Sequence, residues 1–277
     1  MQTKFNVAIV QTVSRIGEID KNIKKMTCFV EDVCKNEDKV KLIVFPELVT
    51  TGFVLGEQAH SLAELSHGRI FQSLAELAKR QKIYLVYGYI EQGEKPNVIY
   101  DSLAFIDDRG KLCANYRKIH LTEFERDTFT AGSKITIAQT ELGKFGLMIC
   151  WDLAFPEQAR LQTLSGCNVL LSICAWEKPY GHALRQFAIA RSIDNSAYNI
   201  VVNAIGTSGD LELTGQSSVY DLAGQAIASL NEEEAYSVAS IDFKKQQEQR
   251  ESFYSMLEER RTDIYQVTSK SIETTKT

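Results

Sequence analysis

Apolar runs of four to eight residues punctuate this chain: Phe5–Val10, Lys41–Phe45, Ile83–Ile90, Phe145–Ile149, Val169–Ile173 and Asn199–Val202. Their length and β-branched content suit buried strands. Between them lie stretches whose apolar residues recur every three or four positions. Asp20–Cys34 places Ile23, Met26, Val30 and Val33 on one face, and Ile70–Lys82 does the same with Ile70, Leu74 and Leu77. Pro156–Gly166 and Ala183–Asn195 complete the helical set. Strands alternating with amphipathic helices have one economical solution, an α/β sheet covered by helices. Two features exclude a purely parallel sheet. Asp107–Gly110 is a turn between the strand-like Val98–Ile106 and Leu112–Tyr116, and Ser217–Tyr220, Gln225–Ser229 and Tyr236–Ile241 read as a late meander. No linker rich in Pro, Gly or Ser divides the chain. The reading is one domain over residues 1–242, followed by a charged extension over 243–277 that packs on the domain or on a partner subunit. That extension is expected to be helical to about Glu259 and irregular beyond it.

Composition narrows the class. With 44% hydrophobic and 24% charged residues and a net charge of −5, nothing draws the molecule to nucleic acid or to an anionic membrane. No apolar run approaches the roughly 20 residues that a spanning helix needs. The start lacks the long apolar region of a signal peptide, so the expected location is the cytoplasm. The six cysteines fit that compartment as free thiols. They lack CxxC spacing and the four histidines do not cluster near them, so no metal site is expected.

Cys150 closes the run Leu147-Met148-Ile149, and Pro156 follows where a helix can begin. Open α/β sheets place their chemistry in that crevice, at the carboxyl ends of strands. A free cysteine is often no more than a small buried hydrophobe, however. Glu47 lies just past another strand and Lys118 at the end of a third. Alone, Glu47 reads equally well as an exposed strand-end charge, and Lys118 reads better as a solvated one. Together they supply the parts that a thiol nucleophile requires: a base to take its proton, a nearby cation to favour thiolate, and positive charge where an oxyanion forms. No histidine stands at a comparable strand end, which argues against a Cys-His arrangement.

Phe45-Pro46-Glu47, Tyr116-Arg117-Lys118-Ile119-His120-Leu121 and Ile149-Cys150-Trp151-Asp152 with Phe155-Pro156-Glu157 resemble the motifs of the nitrilase superfamily of carbon–nitrogen hydrolases. Thr51-Gly52-Phe53, Phe129-Thr130-Ala131-Gly132, Ala190–Asn195, Gly215-Gln216-Ser217 and Gly224 extend the likeness over roughly residues 5–242. Three positions depart from the common pattern: Ala154 and Leu184 stand where many members carry Arg and Trp, and Asp194 replaces Glu. Trp151 in place of tyrosine is similar to the carbamoylputrescine amidase branch, although loops that would read a polyamine are not recognisable.

The resemblance implies a four-layer αββα sandwich and a cysteine amidase. Glu47 would be general base, Cys150 nucleophile, Lys118 the stabiliser of the tetrahedral intermediate, and the backbone N–H of Trp151 part of the oxyanion hole. Glu125, seven residues ahead of Gly132, matches the family's second glutamate better than Glu123 and would hold Lys118. Pocket walls would come from Thr50–Phe53, Arg126–Phe129 and Ala175–Tyr180, with Phe53 and Trp176 against the substrate. No cofactor or metal is implied. The partners are a small-molecule amide and a second copy of the chain, in a homodimer or larger homo-oligomer. The rival readings are a nitrilase, an N-carbamoyl amine hydrolase, and an inactive scaffold that kept the fold.

Overall fold

Alternation within the strands decides which side of each sheet meets which neighbour. In the first sheet, β1 (Lys4–Gln11), β2 (Val40–Val44), β3 (Tyr84–Gln92), β4 (Ile99–Ile106) and β5 (Leu112–Arg117) are joined by a late strand, β14 (Ala235–Asp242). Their order is β14-β1-β2-β3-β4-β5. Val7, Ile9, Leu42, Val44, Val86 and Phe105 turn inward, while Ala8, Val10, Ile43, Leu85 and Ala104 turn the other way. The outward set packs on α1 (Ile19–Asn36) and α3 (Arg69–Gln81) through Met26, Val30, Ile70 and Leu74. The computed structural model describes residues 3–276.

The second sheet contains β6 (Ile135–Thr140), β7 (Gly143–Ile149), β8 (Val169–Cys174), β9 (Tyr198–Asn203), β12 (Ser218–Tyr220), β13 (Ala226–Ser229) and β15 (Ile272–Lys276). Their order is β13-β12-β9-β8-β7-β6-β15. Phe145, Leu147 and Ile149 of β7 meet the inner face of the first sheet in one shared core. Helix α4 (Pro156–Leu164) covers the outer face, where Gln162 Nε2 donates to Leu147 O at 2.8 Å. Helix α5 (Gly181–Asp194) lies beside it, its Ala188 carbonyl accepting from Asn199 Nδ2 at 2.9 Å. The result is the αββα sandwich that the resemblance implied.

Several local expectations need correction. The late strands do not form one meander: β12 and β13 pair with each other, whereas β14 crosses to the first sheet and runs antiparallel to β1. A short helix, α2 (Gly56–Leu62), and a hairpin of β10 (Ile205–Ser208) with β11 (Leu211–Thr214) occur where none was expected. The tail helix, α6 (Phe243–Arg250), ends nine residues short of Glu259. The chain's end is not irregular either, since β15 pairs in parallel with β6 of the same chain. Among the described residues no helix is long and apolar enough to cross a membrane.

Candidate active site

Three strands deliver three side chains to one place. Glu47 leaves the carboxyl end of β2 on a turn fastened to β3, where Gly88 N donates to Pro46 O at 3.2 Å. A Cβ on Gly88 would stand 2.4 Å from Leu48 N and 2.7 Å from Glu47 Cα, so glycine is required for the turn to approach β3. Lys118 follows β5, with its N–H donating to Asp101 O at 2.9 Å and its carbonyl accepting from Gly132 N at 2.7 Å. Cys150 follows β7 with φ +47°, a left-handed conformation rare for residues with a side chain. Strain of that kind persists only where surrounding bonds impose it.

Asp152 supplies those bonds. Its Oδ2 accepts from Ile149 N at 2.9 Å and from the Tyr116 hydroxyl at 2.6 Å. Its Oδ1 accepts from His120 N at 3.0 Å and lies 2.8 Å from His120 Nδ1. The His120 ring stacks on Phe155 with centroids 3.7 Å apart. From the far side, Arg191 of α5 donates to the carbonyls of Leu153 and Ala154, both at 3.1 Å. The turn Cys150–Ala154 is thus clamped between the segment that carries Lys118 and helix α5.

Lys118 Nζ sits 2.7 Å from Glu47 Oε1, 2.6 Å from Glu125 Oε1 and 3.4 Å from Asp101 Oδ2, all four side chains buried. Glu125 reaches it from a 3₁₀ turn over Glu123–Glu125, its second oxygen accepting from Thr122 N at 2.7 Å. Burial disfavours the charge on Lys118, but Glu47 and Glu125 outweigh it and hold the ammonium well above its ordinary pKa. Burial likewise works against an ionised Glu125, and the contact with Lys118 reverses that and lowers its pKa. The carboxylates of Glu47, Asp101 and Glu125 approach within 4.8 Å of one another, a spacing that could hold a metal ion. The ammonium of Lys118 already fills the position such a cation would take.

The cation was expected to favour thiolate at Cys150. The net direction is the opposite. The thiol of Cys174, at the end of the neighbouring strand β8, contacts Cys150 and is the main influence raising its pKa; burial and the charge of Glu47 add to it, and Lys118 only opposes them. Cys150 therefore favours the thiol form, and attack by its sulfur would depend on a base to take the proton.

The family model for carbon–nitrogen hydrolases matches residues 6–251. The chain belongs to that family. A Schizosaccharomyces pombe protein named as a probable nitrilase is 34% identical over 265 residues, covering 95% of this chain and 97% of the other. The 2-oxoglutaramate amidase of Bacillus subtilis is 32% identical, with 95% and 100% covered. Among solved structures, Nit3 of Saccharomyces cerevisiae, a member of branch 10 of the nitrilase superfamily, superposes with a TM-score of 0.86 at 27% identity, covering 91% of this chain and 95% of that one.

A cavity of about 510 Å³ in the hydrolase opens on Cys150. Aromatic rings from Phe53, Phe124, Trp151, Trp176 and Phe187 share its wall with the charged Glu123, Glu125, Arg126 and Glu177. Phe53, Trp176 and Arg126 line it, whereas Thr50 and Thr51 are fully buried and do not. The backbone N–H of Trp176 donates to Asn203 Oδ1 at 2.7 Å, its indole Nε1–H donates to Tyr180 O at 3.0 Å, and its ring lies 5.7 Å from that of Trp151. Sequence reasoning passed over Asn203, Asp152 and Asp101. Asp152 was quoted only as part of a motif, and the other two lie inside strands where no local pattern marks them.

Proposed function

We propose that this hydrolase is an amidase that releases ammonia from a small-molecule amide through an acyl-thioester on Cys150. The observation that carries the reading is Lys118 held between two carboxylates beside a cysteine that faces the cavity. Glu47 takes the proton of the Cys150 thiol as sulfur attacks the amide carbonyl. Lys118 and the backbone N–H of Trp151 stabilise the oxyanion of the tetrahedral intermediate, a contribution typically worth about 10²–10³ in rate for one donor. Protonated Glu47 then gives its proton to the departing nitrogen, ammonia leaves, and the carbonyl reforms as thioester. Water enters with Glu47 again as base, and its attack returns the thiol and yields the carboxylic acid. Glu125 keeps Lys118 in place throughout.

The aromatic walls suit an apolar acyl chain. Arg126 is the one cation among the lining residues, set among Glu123, Glu125 and Glu177, and offers a partner to an acidic group at the far end of that chain. The names of relatives, 2-oxoglutaramate amidase and omega-amidase, support the same class, an ω-amide of a dicarboxylic acid. A screen of ammonia release over ω-amides, neutral monocarboxylic amides and carbamoyl amines tests it. ω-Amides should lead, and Arg126→Ala should raise KM for them alone. Faster turnover of neutral amides or carbamoyl amines, indifferent to Arg126→Ala, would overturn the substrate class.

The enzyme is further proposed to act in the cytoplasm as a homodimer. All six cysteines are free, which supports a reducing compartment. Light scattering that gives only a monomer at micromolar concentration would refute the dimer.

A further inference from the structure

Asp101 lies on β4, within the first sheet, and none of the roles above uses it. Its side chain is fully buried, and neither carboxylate oxygen has a hydrogen-bond partner among the described residues. Glu47 Oε2, close by, is equally orphaned. Unpaired buried carboxylates are costly, and two of them in contact cannot both hold a negative charge cheaply. Lys118 does not resolve the conflict. Its short bonds go to Glu47 and Glu125, and it stays 3.4 Å from Asp101, so one ammonium faces three carboxyl groups.

A single proton removes both problems. We propose that Asp101 is a positioning residue that keeps its proton in the resting enzyme and donates it in a hydrogen bond to Glu47. The bond satisfies Glu47 Oε2 and one of the two Asp101 oxygens. It also orients the Glu47 carboxylate toward Cys150 while leaving Glu47 ionised and able to act as base. When Glu47 takes the thiol proton, Asp101 keeps its own, so the pair never carries two negative charges. Burial and the charge of Glu47 both push the Asp101 carboxyl well above its ordinary range, with Lys118 opposing. The groups that face it are Glu47 from the turn after β2, Lys118 after β5 and Glu125 from the 3₁₀ turn. Glu91 and Arg117 on the adjoining strands pair with each other instead, at 2.7 Å.

The inference rests on Glu47 as the general base, but one arm of its test needs no substrate. An infrared difference spectrum at neutral pH between the unmodified enzyme and Asp101→Asn should reveal a protonated carboxylic acid lost in the variant. A difference made of carboxylate bands would overturn the proposal whatever the substrate. Kinetics supply the second arm. Asparagine mimics the neutral acid and can donate to Glu47, so Asp101→Asn should remain close to the parent rate. Asp101→Ala should lose about 10–100-fold, the scale of loss when the hydrogen-bond partner that orients a metal ligand is removed. The alkaline limb of the pH–rate profile should also move up in Asp101→Asn, because that variant has no proton to give up. If Asp101→Asn falls as far as Asp101→Ala with an unmoved alkaline limb, the residue does not act as a proton donor to Glu47.

Discussion

Tyr116 donates its hydroxyl to Asp152 Oδ2 across 2.6 Å, joining the strand that ends in Lys118 to the turn that begins with Cys150. The same hydroxyl accepts from Gln158 Nε2 at 2.9 Å, so α4 is tied into the contact. The buried Tyr116–Asp152 bond, with the two His120 contacts to Asp152 Oδ1, ties the Lys118 segment to the Cys150 turn. Tyr116→Phe preserves the ring and removes that bond. It leaves a buried carboxylate oxygen and a buried amide short of partners, at a cost of about 1–3 kcal/mol. Denaturant unfolding should register that loss, and kcat should fall more than KM changes.

Glu125→Gln should leave the fold intact and reduce turnover severely, by about 10²–10³, the usual cost of a misplaced oxyanion stabiliser. Glu125 is buried with its oxygen 2.6 Å from Lys118 Nζ, whereas Glu123 only lines the cavity. Circular dichroism paired with steady-state kinetics on both variants checks the choice. A Glu123→Gln enzyme that is dead beside an active Glu125→Gln would reverse it.

Alkylation of Cys150 should be slow at neutral pH and accelerate as pH rises, since the contact with Cys174, burial and the charge of Glu47 all hold its pKa well above the ordinary thiol value. The exposed Cys28 should therefore react ahead of it at neutral pH. Removing one of the causes should move the profile in a defined direction. Glu47→Gln deletes a negative charge that opposes thiolate, so its Cys150 should react at lower pH than the parent's. Mass mapping of iodoacetamide adducts against pH gives the answer. A profile that shifts upward in Glu47→Gln would contradict the electrostatic assignment.

Amides should be cleaved faster than the matching nitriles. Thiolate attack is common to both substrates, but only the amide path uses a protonated Glu47 to expel ammonia directly. A nitrile first gives a thioimidate that must take up water before ammonia can leave. Ammonia release from an aliphatic amide and its nitrile at equal concentration compares the two. Equal or faster release from the nitrile would favour the nitrilase alternative.

Glu47, Lys118 and Cys150 were legible because each follows a strand that the apolar pattern marks, and a strand's end is a local fact. The same pattern could not say which sheet a strand joins. β14 looks like a third meander strand and pairs instead with β1, some 230 residues earlier, because pairing depends on the whole sandwich. Helix α2 escaped notice for the opposite reason: it buries only Ala59, too little to set up a period. Asp101 in a strand reads as a residue for the solvent face. Only the arrival of β5 beside β4 buries it against Lys118. The thiol at Cys174 was equally silent, since its effect on Cys150 arises across two neighbouring parallel strands.

The chain has two tryptophans, Trp151 and Trp176, and both line the cavity with their rings 5.7 Å apart. Excitation at the red edge of the protein's absorption therefore interrogates the active site and nothing else. Trp151 is about one-third exposed while Trp176 is almost covered, so a ligand seated between them changes the solvation of one indole and the stacking of the other. The unlabelled enzyme is its own fluorescent sensor. Candidate acyl groups can be titrated against intrinsic emission, including acids and amides that are never turned over, before any product is assayed.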